Sequence, residues 1–406
     1  MIMRNKLIIL TSSFPYGKEE LFLESEIQII APYFKEVEII AVSNKLFTDK
    51  RQVPQNVLFS QLNIKNNYFS KVKSFFQLAS FLFWKEVRFI YGFNKPLNLI
   101  KTKTILRSCY NAKAISRHLK IKITHPERTI IYSYWSNDNA LATALLKFEF
   151  KDLKVVTRAH GWDVYFEANQ ANYLPFRKTL LGKLDNVHTV SDAGNKYVRD
   201  RWKVDPSKVL TSRLGVCPSE KVSFSEQNTI VSCSHINSIK RLHLIVEALC
   251  QLDTPVKWVH IGAGDDFAVI KQLCEEKLTP YPHISWDLLG RIPNVEIIPI
   301  YLKVKPKLFI NVSSTEGVPV SIMEAISCGL PVIATRVGGN PEIVHESNGI
   351  IIDANPEISE LVESINRILT LKKEDWEMLS SQSIVIWNKS YNLEANYRSF
   401  AENLKV

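Results

Sequence analysis

The sequence predicts an α/β protein built from two doubly wound parallel-sheet domains, and three observations lead there. Its 406 residues exceed what one hydrophobic core usually serves. Short runs of near-continuous Ile, Val and Leu alternate with longer stretches of helical spacing, the pattern of parallel strands covered on both faces. That alternation occurs as two series, separated by the polar, aperiodic stretch LGVCPSEKVSFSEQN at 214–228.

The first series predicts strands at LIILTSS (7–13), VEIIAVS (37–43), TIIYSYW (129–135), KVVTRAH (154–160), NVHTVS (186–191) and KVLTSRL (208–214), with the helix-like ELFLESEIQIIAPYF after the first. The second predicts TIVSCSHI (229–236), KWVHIGAG (257–264), ISWDLLG (284–290), KLFINVS (307–313), PVIATRV (331–337) and GIIIDA (349–354), interleaved with the helices LHLIVEALCQL, DFAVIKQLCEEK and NVEIIPIYLK. The expected division is 1–215 and 216–385, followed by a segment, 386–406, whose amphipathic NLEANYRSFAENL predicts a helix packing back towards the first domain. In open parallel sheets ligands bind outside the carboxyl ends of the strands, so two such domains facing each other would put the site in the cleft between them.

Composition narrows the class. With 46% hydrophobic and 23% charged residues the chain reads as an ordinary globular protein. The opening MIMRNKLIILTSSFP holds a short apolar run without a small-residue cleavage site, which reads as a buried strand rather than a signal peptide. No stretch approaches the roughly 18 apolar residues of a membrane span. The expected location is the cytoplasm or the inner face of the cytoplasmic membrane. Six scattered cysteines with no C-x-x-C pair predict buried, reduced thiols and neither a metal site nor a disulfide frame.

The net charge of +10 is concentrated: between Gln61 and Ile130 there are fourteen Lys or Arg against two acids. Within this region, YFSKVKSFFQLASFLFWKEVRFIYGFNK mixes Phe75, Phe76, Phe81, Phe83, Trp84, Phe89 and Phe93 with Lys71, Lys73, Lys85, Arg88 and Lys95. Two readings stay open, an anionic membrane surface as partner, or aromatics packed in the core beneath solvated lysines. No recognition motif accompanies the charge, so nucleic acid is not an expected partner.

The stretch SSTEGVPVSIMEAISCGLPVIATRVGG, 313–339, is the most informative. KLFINVS ends in the turn STEG, Pro319 fits the first turn of a helix, and VSIMEAISC continues it until Gly329 ends it in the left-handed conformation. Glu316 then lies in the loop before the helix and Glu324 inside it, spaced to reach different parts of one elongated ligand. The free N–H groups of the helix start would receive a diphosphate between them. Gly338 and Gly339 follow the next strand and let the backbone approach a ligand closely. On geometry alone, tight turns and solvated glutamates explain the same residues.

Glu316-Gly-Val-Pro-Val-Ser-Ile-Met-Glu324-Ala, with Gly329-Leu-Pro-Val-Ile-Ala-Thr and Val337-Gly-Gly, resembles the donor-site signature of family 4 retaining glycosyltransferases, whose GT-B fold has two Rossmann-like domains. The resemblance implies a nucleotide-sugar donor, with a UDP-sugar expected, and a glycan or lipid-linked glycan acceptor. It implies that Glu316 contacts the donor sugar near the reacting carbon, that Glu324 holds the ribose hydroxyls, and that the backbone of Val318, Pro319 and Val320 lies along sugar and phosphates. Lys240, in SCSHINSIKRLHLIVEAL, matches the lysine that neutralises the diphosphate. Where the family usually has an arginine this chain has His235, which offers one charge at most, so Arg241 is the other candidate for a second cation. Gly262 sits where the family carries a glycine turn under the base; no third glycine follows at the spacing a nicotinamide site needs.

In the first domain, TRAHGWDVY resembles the family's His-Gly-x-Asp element, which implies that His160 contacts the donor sugar while Arg158 and Asp163 help shape the site. SSFPYGKEELFLESEI resembles the opening loop, with Gly17 at the position that lets the backbone approach phosphate and acceptor, and Lys18 where a second glycine is common. No Asp-x-Asp pair occurs; with the resemblance, this implies no cofactor and no metal, the lysine and helix dipoles acting instead. A nucleotide-sugar 2-epimerase of the same architecture and a non-catalytic nucleotide- or glycan-binding module are the alternative functions.

Overall fold

The computed structural model describes residues 4–65, 67–92, 97–202 and 205–405. The chain forms two compact units, one comprising Met1–Leu214 with Ala395–Val406, the other Gly215–Glu394.

In the first unit seven strands form one sheet: β1 (Lys6–Thr11), β2 (Glu36–Ser43), β3 (Val57–Asn63), β4 (Thr129–Ser133), β5 (Lys154–Ala159), β6 (Asn186–Thr189) and β7 (Val209–Thr211). Their order is β3-β2-β1-β4-β5-β6-β7, and every pairing is parallel. The interior strands are Ile, Val and Leu because helices cover both faces, and Leu7–Leu10, Ile130–Tyr132 and Val155–Val156 are buried. The sequence reading missed β3. Its VLFSQLN lies at the sheet edge, paired only with β2 and largely half-buried, so it lacks the continuous apolar run that marks its neighbours.

The helix Leu393–Lys405 places Phe400, Ala401 and Leu404 in the core of this unit, with the Phe400 ring centroid 5.1 Å from that of Tyr132. Beneath it lies a fully buried ion pair between Arg158 and Glu26. Arg158 also donates to the Ser212 carbonyl at 3.2 Å and stacks its guanidinium 4.3 Å from the Phe400 ring centre, while the Tyr132 hydroxyl donates to Glu26 at 3.1 Å. Burial opposes the guanidinium charge, but the Glu26 carboxylate outweighs it and holds the Arg158 pKa above its usual value. The expectation that Arg158 shapes a ligand site is therefore corrected: alternation along β5 turns its side chain into the core.

The second unit holds β8 (Thr229–Cys233), β9 (Val256–Ile261), β10 (Ile284–Leu288), β11 (Leu308–Asn311), β12 (Val332–Thr335) and β13 (Gly349–Ile352), in the order β10-β9-β8-β11-β12-β13. Its core runs from Trp258 and Leu249 to Ile310 and Ile365. The helix Lys373–Ser390 ties down the far side through Trp376 Nε1 to the Lys307 carbonyl (2.7 Å) and Ser383 Oγ to the Leu330 carbonyl (2.9 Å). Both sheets reverse their strand order once, between β1 and β4 and between β8 and β11. At each reversal the loops leave towards opposite faces and open a crevice at the carboxyl ends.

The thiols are less uniformly buried than expected: Cys109, Cys274 and Cys328 are enclosed, whereas Cys217 is exposed. No described helix is long and apolar enough to cross a membrane.

The Arg158–Glu26 pair predicts a stability phenotype. Arg158→Ala leaves a buried, unpartnered carboxylate and is expected to lower unfolding free energy by about 3–5 kcal/mol in urea titration. A loss under about 1 kcal/mol would mean that the pair does not anchor this unit.

Candidate functional site

In the second unit the loops after β8 and β11 meet at the strand-order reversal. Ser314 binds the Ile239 carbonyl twice, through its N–H at 2.8 Å and its hydroxyl at 3.2 Å, and so joins the two loops. That stitch brings Lys240 Nζ to 2.5 Å from Glu316 Oε1, which also accepts from Asn311 Nδ2 at 3.2 Å. An ammonium carries three donors and this one uses a single acceptor, so the pair is fixed in place with capacity left for an anion. The helix Val320–Ser327 follows directly, with Pro319 as its N-cap, and the N–H groups of Val318, Val320 and Ser321 bond to no acceptor among the described residues.

Glu324 is the fifth residue of this helix, half-buried, and its carboxylate has no hydrogen-bond partner among the described residues. Burial alone pushes its pKa up to about 7. An unpaired buried carboxylate is costly to fold around, and hydroxyl donors from a ligand would remove that cost.

The glycines serve these loops in a way the sequence reading did not anticipate. Gly338, at φ +51°, lies so close to the Glu316 loop that a Cβ would sit 1.8 Å from the Glu316 carbonyl oxygen. Gly339 donates its N–H to the Gly317 carbonyl at 2.7 Å. The close approach is thus between loop and loop, and it holds Glu316 in position. Gly262 behaves likewise: at φ +145° its missing side chain leaves room for the Ser234 carbonyl, 1.8 Å from where a Cβ would lie. His235, the next residue, is exposed beside it.

Arg241 requires a correction. Its Nε donates to the Val312 carbonyl (2.8 Å), its terminal nitrogens to the carbonyls of Ser313 (3.1 Å) and Ala354 (2.7 Å) and to Asn355 Oδ1 (3.0 Å). It clamps the loops after β11 and β13 rather than presenting a free second cation.

In the first unit, β5 ends at His160. Its imidazole packs 4.6 Å from the Tyr134 ring and 4.5 Å from Trp135; Nδ1 faces Asp163 Oδ2 at 3.9 Å, and Nε2 is shielded from water with no hydrogen-bond partner among the described residues. Asp163 shapes this turn: its carboxylate accepts from the N–H groups of His160 (2.8 Å), Gly161 (3.1 Å) and Ser136 (2.9 Å). Burial opposes its ionisation, but the facing His160 and these N–H groups outweigh it and hold its pKa below the usual aspartate value.

The loop after β1 also departs from expectation. The N–H groups of Ser12, Ser13 and Phe14 converge on the Glu20 carboxylate at 2.8 Å each, and Trp135 Nε1 joins them at 2.7 Å. Glu20 itself sits at φ +55°. Gly17 gives its N–H to the Asp49 carbonyl at 3.2 Å, so it presents no free amide, and Lys18 points to solvent.

Residues 218–383 match the family model described as glycosyl transferases group 1. That segment of the second unit is similar to the family. Among the relatives of this chain is a phosphatidylinositol N-acetylglucosaminyltransferase component from Arabidopsis thaliana, 22% identical over 298 residues, 68% of this chain and 65% of that one. The chain thus spans less than two thirds of this curated relative. The fold extends over nearly the whole chain in solved structures. The lipopolysaccharide outer core galactosyltransferase WaaB in its apo form superposes with a TM-score of 0.72 at 14% identity, over 99% of this chain and all (100%) of that one. Anabaena Alr3699/HepE, solved in complex with UDP and glucose, does so with a TM-score of 0.66 at 17% identity over 99% of both chains. The two Rossmann-like units of this chain are a GT-B-like architecture.

Sequence reading missed Asn311, Ser314 and Glu20. A polar Asn311 closing the apolar strand FIN was the available signal; nothing in the sequence distinguishes Glu20 from its neighbour Glu19. Among the described residues no group of three or more His, Cys, Asp or Glu could hold a metal.

Glu324 predicts a pH signature. Because its folded pKa of about 7 lies above its ordinary value of 4.5, its charge increasingly opposes folding as pH rises through that interval. Glu324→Gln is therefore expected to gain stability on wild type by roughly 2 kcal/mol between pH 5 and pH 8, read from paired denaturant titrations. An increment independent of pH would contradict a buried, unpaired carboxylate.

Proposed function

We propose that this glycosyltransferase moves a hexose from a nucleotide-sugar, of which a UDP-sugar is the expected class, to a lipid-linked or growing surface glycan, with retention at the anomeric carbon. One observation carries the reading: the Lys240–Glu316 pair at 2.5 Å in the strand-order crevice, beside the start of the helix that bears an unpartnered Glu324. Diphosphate, sugar and ribose each have a chemical complement there. Lys240 meets the charge that grows on the departing diphosphate, with the N–H groups of Val318, Val320 and Ser321 along the same path, and fixed donors aimed at developing charge lower the barrier. Glu316, oriented by Asn311 and Lys240, accepts from hydroxyls of the donor sugar, and Glu324 accepts from the ribose. His235 supplies a further charge to the phosphates when protonated. His160, whose Nε2 is shielded and has no hydrogen-bond partner among the described residues, is suited to a sugar hydroxyl.

The likeness to a fold solved with UDP and glucose supports the donor class. For the membrane, support comes from the segment 68–91, where Tyr68, Phe69, Phe75, Phe76, Phe81, Trp84 and Tyr91 are each 58–83% exposed. Lys71, Lys73, Lys85 and Arg88 stand among them exposed, and the one acid of the segment, Glu86, is buried, bound by the Tyr173 hydroxyl and the Phe176 N–H. Phe83 is buried and Phe89 partly so, whereas Phe93 and Lys95 lie outside the described residues. An aromatic and cationic surface of this kind suits an anionic headgroup layer.

The test is thermal stabilisation of the purified protein by UDP, GDP, ADP and TDP. UDP at a hundred times its Kd is expected to stabilise by about 2.7 kcal/mol, and Lys240→Ala and Glu324→Ala to abolish the shift. Stabilisation by none of the four would favour a binding module without a nucleotide donor.

A further inference from the structure

The first unit contains a cavity of about 800 Å³ that the donor chemistry does not use. Ser12, Ser43, Ile64 and Asn137 stand on its wall, each just beyond or at the carboxyl end of β1, β2, β3 or β4, so it opens where this sheet reverses its strand order. The helices Tyr68–Phe75 and Leu99–Lys122 cover it and bring Lys71, Lys103 and Arg107; the loops after β2 and β3 add Lys45 and Lys65.

Those five cations face two carboxylates, Glu19 and Asp138, and Asp138 is engaged by Asn111 Nδ2 at 2.8 Å. None of the five forms an ion pair among the described residues. Elsewhere on the same unit, by contrast, surface lysines such as Lys6, Lys120 and Lys122 have found glutamates. Unpaired cations repel one another, and a concave wall focuses their field on whatever enters. Lysine offers point charge and arginine a planar fork, together the donor set for phosphate.

The cavity is also continuous with the aromatic surface. Lys71 and Phe75 belong to both, as wall residues of the one and exposed residues of the other. An apolar chain lying along Phe69, Phe75 and Phe76 would therefore lead its head group inwards. We infer that this cavity binds the phosphate or diphosphate of an amphiphilic acceptor, with the apolar tail along the aromatic face and the sugar end reaching Asn111, Asn137 and Asn139. The inference rests on the transferase reading and specifies its acceptor. A volume of this size suits a phosphate bearing one or two sugars, within the usual range of small-molecule sites.

The probes are farnesyl diphosphate below its micelle concentration, farnesol and inorganic pyrophosphate, measured by calorimetry on the whole protein at fixed ionic strength. Farnesyl diphosphate is expected to bind roughly tenfold or more tightly than either other probe, since only it fills both parts. The triple exchange Lys65→Gln, Lys103→Gln, Arg107→Gln removes exposed side chains that form no ion pair; it is expected to weaken that binding by about tenfold or more while keeping the UDP-induced thermal shift, which also reports intact folding. Lys240→Ala is expected to do the reverse, losing UDP and retaining farnesyl diphosphate. Farnesol binding as well as its diphosphate, pyrophosphate binding as well as either, or undiminished binding in the triple variant would each overturn the inference. Loss of UDP binding alone would count against the donor site and leave this one standing.

Discussion

Everything chemical in this chain depends on a topological constraint. Parallel strands need crossover connections, so most loops that leave a carboxyl end lead into a helix on one face of the sheet; β2 to β3 is an exception. Where the strand order reverses, two neighbouring loops part to opposite faces, and the sheet edge between them is left open. In the second unit those loops carry Lys240 and Glu316; in the first the reversal opens into the cavity with the basic wall. The chain has thus built two crevices by one device, and charged them differently.

In the second unit the crevice is held open by hydrogen bonds that leave its functional groups unfinished. Ser314 ties the loop after β11 to that after β8, Gly339 ties it to the loop after β12, and Arg241 ties its base to the segment beyond β13. These contacts fix where Glu316 stands. Lys240 nonetheless retains donors, Glu324 has no partner, and the helix start keeps free N–H groups. A fold that satisfies its scaffold and leaves such groups unsatisfied bears a cost that a ligand removes, the usual form of preorganisation. The first unit handles its own helix-side amides differently: Glu20 fills the Ser12–Phe14 nest, and Trp135 links that nest to His160.

Much of this was legible in the sequence, and the limits have physical reasons. Interior strands announce themselves because burial on both faces demands continuous apolar residues; β3, on an edge, makes no such demand and was overlooked. Glu316 and Glu324 stood out through a dense local motif, and Lys240 through a separate resemblance in SCSHINSIKRLHLIVEAL. The purpose of Gly338 and Gly262 was not, since a glycine signals close approach without saying to what. Arg158 read as a site-shaping residue by resemblance and Arg241 as a second cation, because residue type is visible in sequence and direction is not: Arg158 faces the core, and Arg241 binds three carbonyls. For the aromatic segment, mixed spacing left both faces plausible, and only the packing shows Phe83 inward with Phe75, Phe76, Phe81 and Trp84 outward.

The most direct test of the central claim, that the β8/β11 crevice receives a nucleoside diphosphate, is hydrogen–deuterium exchange of the full chain with and without saturating UDP. Bound ligand should slow exchange in the loop 234–241 and in 312–324, where the free amides of Val318, Val320 and Ser321 lie, and leave β1–β3 of the first unit unchanged. Stabilisation by UDP without protection of those two loops would contradict the account, because the nucleotide would then be held by other residues.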